Sequence, residues 1–515
     1  MLRKIRLTAA VIFFTLITLL FLDFTGTIHQ WFGWMAKIQF LPALLAVNIG
    51  IVIGLVVLTL LFGRIYCSVI CPLGVFQDVV SWIAGKQKKN RFSYSPAVSW
   101  LRYGILAMFI LAMIGGFGSL LALLAPYSAY GRIASNLFAP FYQWTNNGLA
   151  YLAERMDSYA FYTVDVWMKG IATFSIAIIT FIVLAILAWR NGRTYCNTIC
   201  PVGTILGFLA RYSYFKPVID TEKCNGCGLC ARNCKAACID TKEHRIDYSR
   251  CVACMDCIGK CRRNALKYVP GQSLPKKQVE TTTSPSASAS VLPSASAPAT
   301  EKSAASRRHF LSAATLFAVS ATLKAQVKPE KNVDGGLAPI EDKQKPERLT
   351  PITPPGSLSA RNFTGHCTAC QLCVSVCPNQ VLRPSGNLMT LMQPEMSYEL
   401  GYCRPECTKC TDVCPTSAIQ PISVADKSAI QIGHAVWIKD LCVVNTDGVD
   451  CGNCARHCPT AAIQMVPKDP EAPDSPKIPV INTERCIGCG ACEHLCPSRP
   501  LSAIYVEGHE MHRTI

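Results

Sequence analysis

Apolar residues crowd the first 190 positions, in four long stretches at about 8–22, 40–62, 103–125 and 171–189. A helix needs about 20 apolar residues to cross the hydrocarbon of a bilayer, so the first stretch is a little short and the other three suffice. Basic residues punctuate them: Arg3, Lys4 and Arg6 before the first, Lys86, Lys88, Lys89 and Arg91 between the second and third, Arg190 and Arg193 after the fourth. Lys and Arg accumulate on the cytoplasmic side of successive spans. The pattern therefore predicts four transmembrane helices, with the N-terminus inside and the chain back inside by residue 190. Residues 18–27 lack a small-residue cleavage site and more spans follow, so a cleaved signal peptide is not expected there.

An internal repeat lies on this framework. Gly63-Arg64-Ile65-Tyr66-Cys67-Ser68-Val69-Ile70-Cys71-Pro72-Leu73-Gly74 matches Gly192-Arg193-Thr194-Tyr195-Cys196-Asn197-Thr198-Ile199-Cys200-Pro201-Val202-Gly203 at eight of twelve places. Both copies follow an even-numbered span, which implies two helix-pair repeats about an axis along the membrane normal. Cysteines four apart share one face of a helical turn, so Cys67, Cys71, Cys196 and Cys200 are positioned to converge. Two readings stay open: an additional metal, Fe–S or thiol redox centre, or packed cysteines ending two helices. The stretch Pro126–Lys169 reads as an outer loop rich in aromatics, among them Tyr127, Tyr130, Phe138, Phe141, Tyr142, Trp144, Tyr151, Phe161 and Trp167. It suits an interfacial aromatic belt or a wall for a quinol headgroup. His29, near the outer end of the first helix, is either a quinol proton acceptor or a structural hydrogen-bonder.

The chemistry is carried by cysteine. Twenty-four of the 29 cysteines fall into six four-cysteine runs near the C-x2-C-x2-C-x3-C spacing that wraps one [4Fe–4S] cluster. In two-cluster ferredoxins the fourth cysteine of each run ligates the other run's cluster. One cluster is accordingly assigned Cys224, Cys227, Cys230 and Cys261; its neighbour takes Cys251, Cys254, Cys257 and Cys234. Cys238 is extra and is left out of the ligand set. Lys235 and Arg262 stand where Pro often follows the fourth cysteine. Arg232, Lys235, Lys260, Arg262, Arg263 and Lys267 form either a surface for an acidic partner or anionic lipid, or a solvated face. Toward the C-terminus, Cys367, Cys370, Cys373 and Cys414 form one set, and Cys403, Cys407, Cys410 and Cys377 another. Cys442, Cys451, Cys454 and Cys496 form a third, and Cys486, Cys489, Cys492 and Cys458 a fourth. The eight-residue gap after Cys442 lengthens one loop into a candidate docking surface. Each module is expected to be a small β-α-β repeat stabilised by its clusters.

Composition shifts mark the joints. Residues 1–212 read as the four-helix membrane domain and 213–269 as a cytoplasmic two-cluster module. Residues 270–305 are a Ser/Ala/Pro linker, flexible by composition. Ser306-Arg307-Arg308-His309-Phe310-Leu311 opens a twin-arginine signal or anchor over 306–325, followed by a linker at 326–359. Ferredoxin modules at 360–423 and 424–515 complete the chain. That export route carries folded, cofactor-loaded domains, which suits sixteen cysteines that would otherwise be oxidised. The fold class expected is an α-helical membrane domain of four spans, with a possible fifth signal-anchor, joined to α+β two-[4Fe–4S] ferredoxin-like modules. The net charge of +17 is segregated: the basic excess lies in residues 1–324, while residues 325–515 are slightly acidic. Much of the basic excess flanks apolar segments, which argues against nucleic-acid binding. There is no C-x-x-C-H haem site, Rossmann fingerprint or P-loop, and no nucleophile–base pair marks an organic active site.

Residues 1–270, with both Gly-Arg-x-Tyr-Cys-x3-Cys-Pro-x-Gly motifs, resemble the NapH family of membrane electron-transfer proteins. The stretch Pro126–Ile133 is similar to that family's outer loop, with Ala125 where an acidic residue is common. Residues 306–515 resemble the NapG/MauM-type periplasmic ferredoxins, so the chain looks like a fusion. The resemblance implies a multi-pass protein of the bacterial inner membrane, its first module cytoplasmic and its C-terminal domain periplasmic. It would bind six [4Fe–4S] clusters, draw on the quinone pool through (mena)quinol and deliver electrons to a periplasmic reductase or cytochrome. A redox-maintenance or assembly factor for a metalloenzyme is the alternative. What carries electrons between the two sides is left open by the sequence.

Overall fold

The computed structural model describes residues 2–87, 92–270, 341–472 and 474–515. Met1–Ser273 and Lys343–Ile515 form one compact unit. The Ser306–Leu311 motif and the 306–325 signal lie outside the described residues, as do Lys88, Lys89 and Arg91.

Helix α1 (Leu2–Leu22) contains neither Gly nor Pro, and its 21 residues make it about 31 Å long. The stretch expected as one helix over 40–62 is two, α2 (Phe40–Leu45) and α3 (Ile49–Phe62). Val47 turns left-handed between them (φ 53), and the Asn48 side chain caps α3 by accepting from Ile51 N. After α4 (Ile65–Val69) and α5 (Pro72–Gln87), the stretch at 103–125 likewise divides. It forms α6 (Ser99–Ile114) and α7 (Gly118–Leu124), broken at Gly115-Gly116. The expected outer loop is helical as far as Glu154. It comprises α8 (Pro126–Ile133), a π-helical turn at Ala134–Phe138 and α9 (Ala139–Glu154). Pro126 and Pro140 sit in first turns, where a missing N–H costs nothing, so neither breaks the segment. The second repeat copy supplies α10 (Ile171–Asn191), α11 (Thr194–Thr198) and α12 (Pro201–Ala210). Among the described residues, α1 and α10 are the helices long and apolar enough to cross a membrane.

Every residue of α8 is buried. Tyr130 packs on Phe14 and Tyr127 on Phe21, with ring centroids 5.5 and 5.6 Å apart. These two tyrosines therefore belong to the core rather than to an aromatic belt, whereas Phe141, Trp144 and Tyr151 are exposed.

The first ferredoxin module pairs β1 (Phe215–Ile219) antiparallel with β4 (Leu266–Pro270), with a short β2–β3 ladder (Ile239–Asp240, Arg245–Ile246) between them in sequence. It rests directly on the repeat: Arg193 N donates to Lys235 O at 2.9 Å. Gly192 turns at φ +68, where an added Cβ would meet Lys235 O at 2.5 Å, so only glycine permits this approach.

In the C-terminal part, β5 (Leu382–Pro384) pairs β6 (Pro394–Met396), and β8 (Ile463–Pro467) pairs β9 (Lys477–Ile481). The long strand β10 (Ile504–Thr514) returns to pair β7 (Ile430–Trp437). The two expected modules are joined across a close seam, where Cys403 N donates to Cys489 O and Tyr398 Oη to Gly488 O. The end of the 326–359 stretch is a packed strap, not a linker. Lys343 Nζ donates to the carbonyls of Glu493, His494 and Cys496, and Arg348 pairs with buried Glu493 at 2.5 Å.

The strap also meets the end of β10, where Thr353 Oγ1 hydrogen-bonds His512 Nε2 at 2.9 Å. Burial, with His509 alongside, pulls His512 down to about 4. Unfolded histidine titrates near 6.5, so the unfolded chain binds the extra proton between these values. Stability from neutral His512 is complete above about 6.5 and is lost as pH falls toward 4, by at most roughly 3 kcal/mol. Hydrogen exchange of residues 511–514, corrected for intrinsic rates, is expected to lose protection over that window. A His512→Gln protein with the same loss would show that another group controls it.

Candidate cluster sites and a four-thiol centre

All 29 cysteines are free thiols. The structure gathers four of the six expected sets around separate cavities. Cys224, Cys227, Cys230 and Cys261 line one; Cys251, Cys254, Cys257 and Cys234 line a second. Cys403, Cys407, Cys410 and Cys377 line a third, and Cys442, Cys451, Cys454 and Cys496 a fourth. In the remaining two, Cys414 faces Cys367, Cys370 and Cys373, and Cys458 faces Cys486 and Cys489, with Cys492 beside those two. Each fourth cysteine thus stands with the other run. Among the described residues no three ligating side chains are close enough to hold a single metal ion; the thiols surround a space rather than a point.

These surroundings suit a cluster. Burial pushes the Cys370 and Cys489 thiols up to about 12 and Cys454 to about 11, so thiolates there require a cation, which cluster iron would supply. Cys238 lines the same cavity as the Cys251 set and lies 3.6 Å from the Cys234 sulfur. Its thiol is placed to hydrogen-bond a ligand sulfur, a contact that tunes cluster potentials.

Lys235, a departure from the Cys-Pro pattern, is half of an ionic joint. It pairs with Asp78 at 3.3 Å and Asp256 at 2.9 Å. Asp78 also takes Arg6 at 2.6 Å and Arg193 at 2.9 Å, and Arg3 reaches Asp256 at 2.8 Å. Burial alone would raise the Asp78 carboxyl, but Arg193, Lys235 and Arg6 hold it well below the usual carboxylate range. Lys235 is therefore not part of an exposed basic face.

The two repeat copies interlock around Cys67, Cys71, Cys196 and Cys200, all buried. Arg64 donates to Cys196 O at 3.0 Å and Asn197 Oδ1 at 2.8 Å; Arg193 donates to Cys67 O at 2.7 Å. Each arginine crosses to the other copy. The last glycine of each motif makes this possible, because a Cβ on Gly74 or Gly203 would strike both the cysteine carbonyl and the incoming guanidinium. Donors also point at sulfur: Gln77 Nε2 to Cys196 Sγ and Gly203 N to Cys200 Sγ, both 3.3 Å. In the sequence these arginines stand in the motif without a visible role, because reciprocity between copies exists only in space.

At the far end of α1 the C-terminal part docks on α8 and the π-turn. A Cβ on Gly131 would meet Cys370 O at 2.5 Å, Asn136 donates to Gln371 at 2.9 Å, and Ser135 bonds Ser375 at 3.1 Å. Asp23, just past α1, accepts from the N–H groups of Thr25, Gly26 and Ile28 and faces His29 Nδ1 at 3.2 Å. His29 Nε2 is buried and has no partner among the described residues.

A family model described as "4Fe-4S binding domain" matches residues 44–90 and 173–218, which hold the two repeat copies. Another, "4Fe-4S dicluster domain", matches 366–430 and 449–499. Cysteine sets and matches together define an iron–sulfur protein with ferredoxin-type domains. Over 156 residues it is 33% identical to the methylamine utilization ferredoxin-type protein MauM of Methylobacillus flagellatus, covering 28% of this chain and 64% of that protein. MauM of Paracoccus denitrificans is 31% identical over 172 residues, 31% of this chain and 73% of the relative. The ferredoxin-type protein NapF of Escherichia coli is 30% identical over 159 residues, 31% of this chain and 87% of the relative. The chain belongs to the family of ferredoxin-type electron-transfer proteins that MauM and NapF represent. No solved structure matches it.

Proposed function

We propose that this chain is a membrane-bound electron-transfer protein that oxidises menaquinol and passes the electrons through bound [4Fe–4S] clusters to a periplasmic acceptor. The observation that carries the reading is the placement of cysteine sets at opposite ends of α1. Arg3 and Arg6 bind the first module's side through Asp256 and Asp78, while Phe21 packs against Gly131 of α8, beside Cys370. A helix of about 31 Å matches the bilayer hydrocarbon, about 30 Å thick. The apolar faces of α3, α6 and α10 are largely exposed, with Ile53, Leu111 and Ile179 outward, as expected of surface that meets lipid. With the N-terminus inside, the first module is cytoplasmic and the C-terminal part periplasmic, by way of the 306–325 signal.

Bound clusters would supply one-electron storage and transfer. The chain's own contribution to quinol oxidation is a proton acceptor. With Nδ1–H given to Asp23, His29 Nε2 carries a free lone pair in a dry site. Quinol oxidation releases two electrons, which bound clusters would accept one at a time, and two protons, the first taken by His29 Nε2 and the second by water on the outer side. Lys409, next to Cys410, reaches Gly26 in the same turn, so a cluster site stands close by. The acceptor is assigned to the exposed Asp447–Asp450 loop over the Cys442 set.

In native membranes menaquinol is expected to reduce the clusters, and clusters that stay oxidised would remove the quinol reading. His29→Gln is expected to slow menaquinol-dependent reduction by about 10²-fold or more, the usual worth of a general base, with dithionite reduction unchanged. Equal rates with menaquinol would acquit His29.

A further inference from the structure

The four-thiol site lies between the two groups of cluster sites, and its surroundings are those of a charged centre. Arg64 is completely buried, yet among the described residues it has no carboxylate partner; it bonds Asn197, Ser249 O and Cys196 O and lies 3.9 Å from Cys67 Sγ. Arg132 is also completely buried, and its guanidinium makes one hydrogen bond among the described residues, to Ala122 O. A buried cation without an anion is strongly unfavourable. Both lie beside cysteine sets: Arg64 is 3.9 Å from Cys67 Sγ and donates to Ser249 O, two residues before Cys251, and Arg132 follows Gly131, which packs against Cys370 O. Thiolate-bound clusters would supply the missing negative charge. Core-packed thiols would supply none.

We infer that Cys67, Cys71, Cys196 and Cys200 together hold one redox centre, shared by the two repeat copies, and that this centre relays electrons between the first module and the C-terminal part. The inference rests on the electron-transfer reading above but not on quinol as the donor. It supplies the carrier across the membrane. On one side, Arg64 bridges to the Cys251 set, whose Cys257 faces Cys230 of the Cys224 set. On the other, Tyr195 Oη donates to Leu124 O at 3.3 Å, at the end of α7 and two residues before α8, and Gly131 near the end of α8 packs against Cys370 O. Eight residues of helix measure about 12 Å, so one short buried helix separates the centre's surroundings from the next set. Beyond it, Cys373 faces Cys410, Cys403 N bonds Cys489 O, and Cys492 faces Cys454. The seven sites form a single file, entered in the last module through the Cys486 set and ending at the Cys442 set. One electron moves per step; each donor site is oxidised by one and its neighbour reduced by one, with no bond made or broken.

The test uses the full chain in quinone-free proteoliposomes, with dithionite outside and ferricyanide trapped inside. Wild type is expected to bleach the ferricyanide and to carry iron and sulfide for one centre beyond six clusters. Cys67→Ser with Cys196→Ser is expected to lose that extra iron and the transmembrane bleaching, while the electron paramagnetic resonance of the six clusters, and hence the fold, persists. Arg132→Met is expected to keep all iron, conduct more slowly and lower the potential of the Cys367 set, a shift that a packing role would not produce. Wild-type iron content limited to six clusters, or a double-cysteine variant that bleaches like wild type, would overturn the relay. A wild-type protein that bleaches ferricyanide but is not reduced by menaquinol would instead retain the relay and remove only the quinol reading.

Discussion

Asp78→Asn is expected to destabilise the protein by about 3–5 kcal/mol, the range for removing one partner of a buried ion pair. Asp78 is the shared anion for Arg6, Arg193 and Lys235. The amide keeps the shape but leaves three cations facing one another, with only Lys235 retaining a carboxylate, that of Asp256. The damage extends beyond stability. Arg193 also holds the Cys67 carbonyl, and Lys235 anchors the first module, so the variant is expected to lose four-thiol iron and expose the module to protease. Chemical unfolding of the detergent-purified chain measures the first effect, and limited proteolysis the second. A change below about 1 kcal/mol with wild-type digestion would show that water or lipid headgroups compensate the cations, contrary to their near-complete burial.

Gly490→Ala is expected to be nearly as severe, at about 2–5 kcal/mol. Gly490 sits at φ +80, where an L-residue costs about 1–2 kcal/mol. Its Cβ would also collide with the ring of Tyr398, which is fully buried and tied to Gly488 O at 2.6 Å. Overpacking of that kind typically adds about 1–3 kcal/mol. Because this contact lies on the seam between the Cys403 and Cys486 sets, slower electron passage between them is expected alongside the lower stability. Gly365→Ala, where nothing crowds the added methyl, is the control. If the two substitutions behave alike, the seam is looser than the packing implies.

Much of the cofactor chemistry was legible from spacing alone. Ferredoxin ligands lie close along the chain, and local loop geometry holds them, so the runs from Cys224 to Cys496 reveal their groups without knowledge of the fold. The repeat copies were equally plain. The helices were less legible. Hydropathy registers the total apolar length at 40–62 and 103–125, but not the Val47-Asn48 and Gly115-Gly116 turns that divide them. The stretch from Pro126 read as an outer loop because the sequence does not show that α8 is buried along its whole length. The strap after Lys343 looked like a linker for a similar reason: its partners, Glu493 to Cys496, are some 150 residues away.

By itself, then, the sequence determined what kind of protein this is: cysteine runs for clusters, apolar segments flanked by basic residues, and a duplicated motif. Such signals are local, set by neighbours within a few residues. Only the tertiary structure decided the order of the sites, the crossing of Arg64 and Arg193 between copies, the pairing of His29 with Asp23 and the position of the four thiols between the two groups. Each depends on burial and on charges brought together from distant parts of the chain, and no spacing rule encodes a countercharge that arrives from more than a hundred residues away.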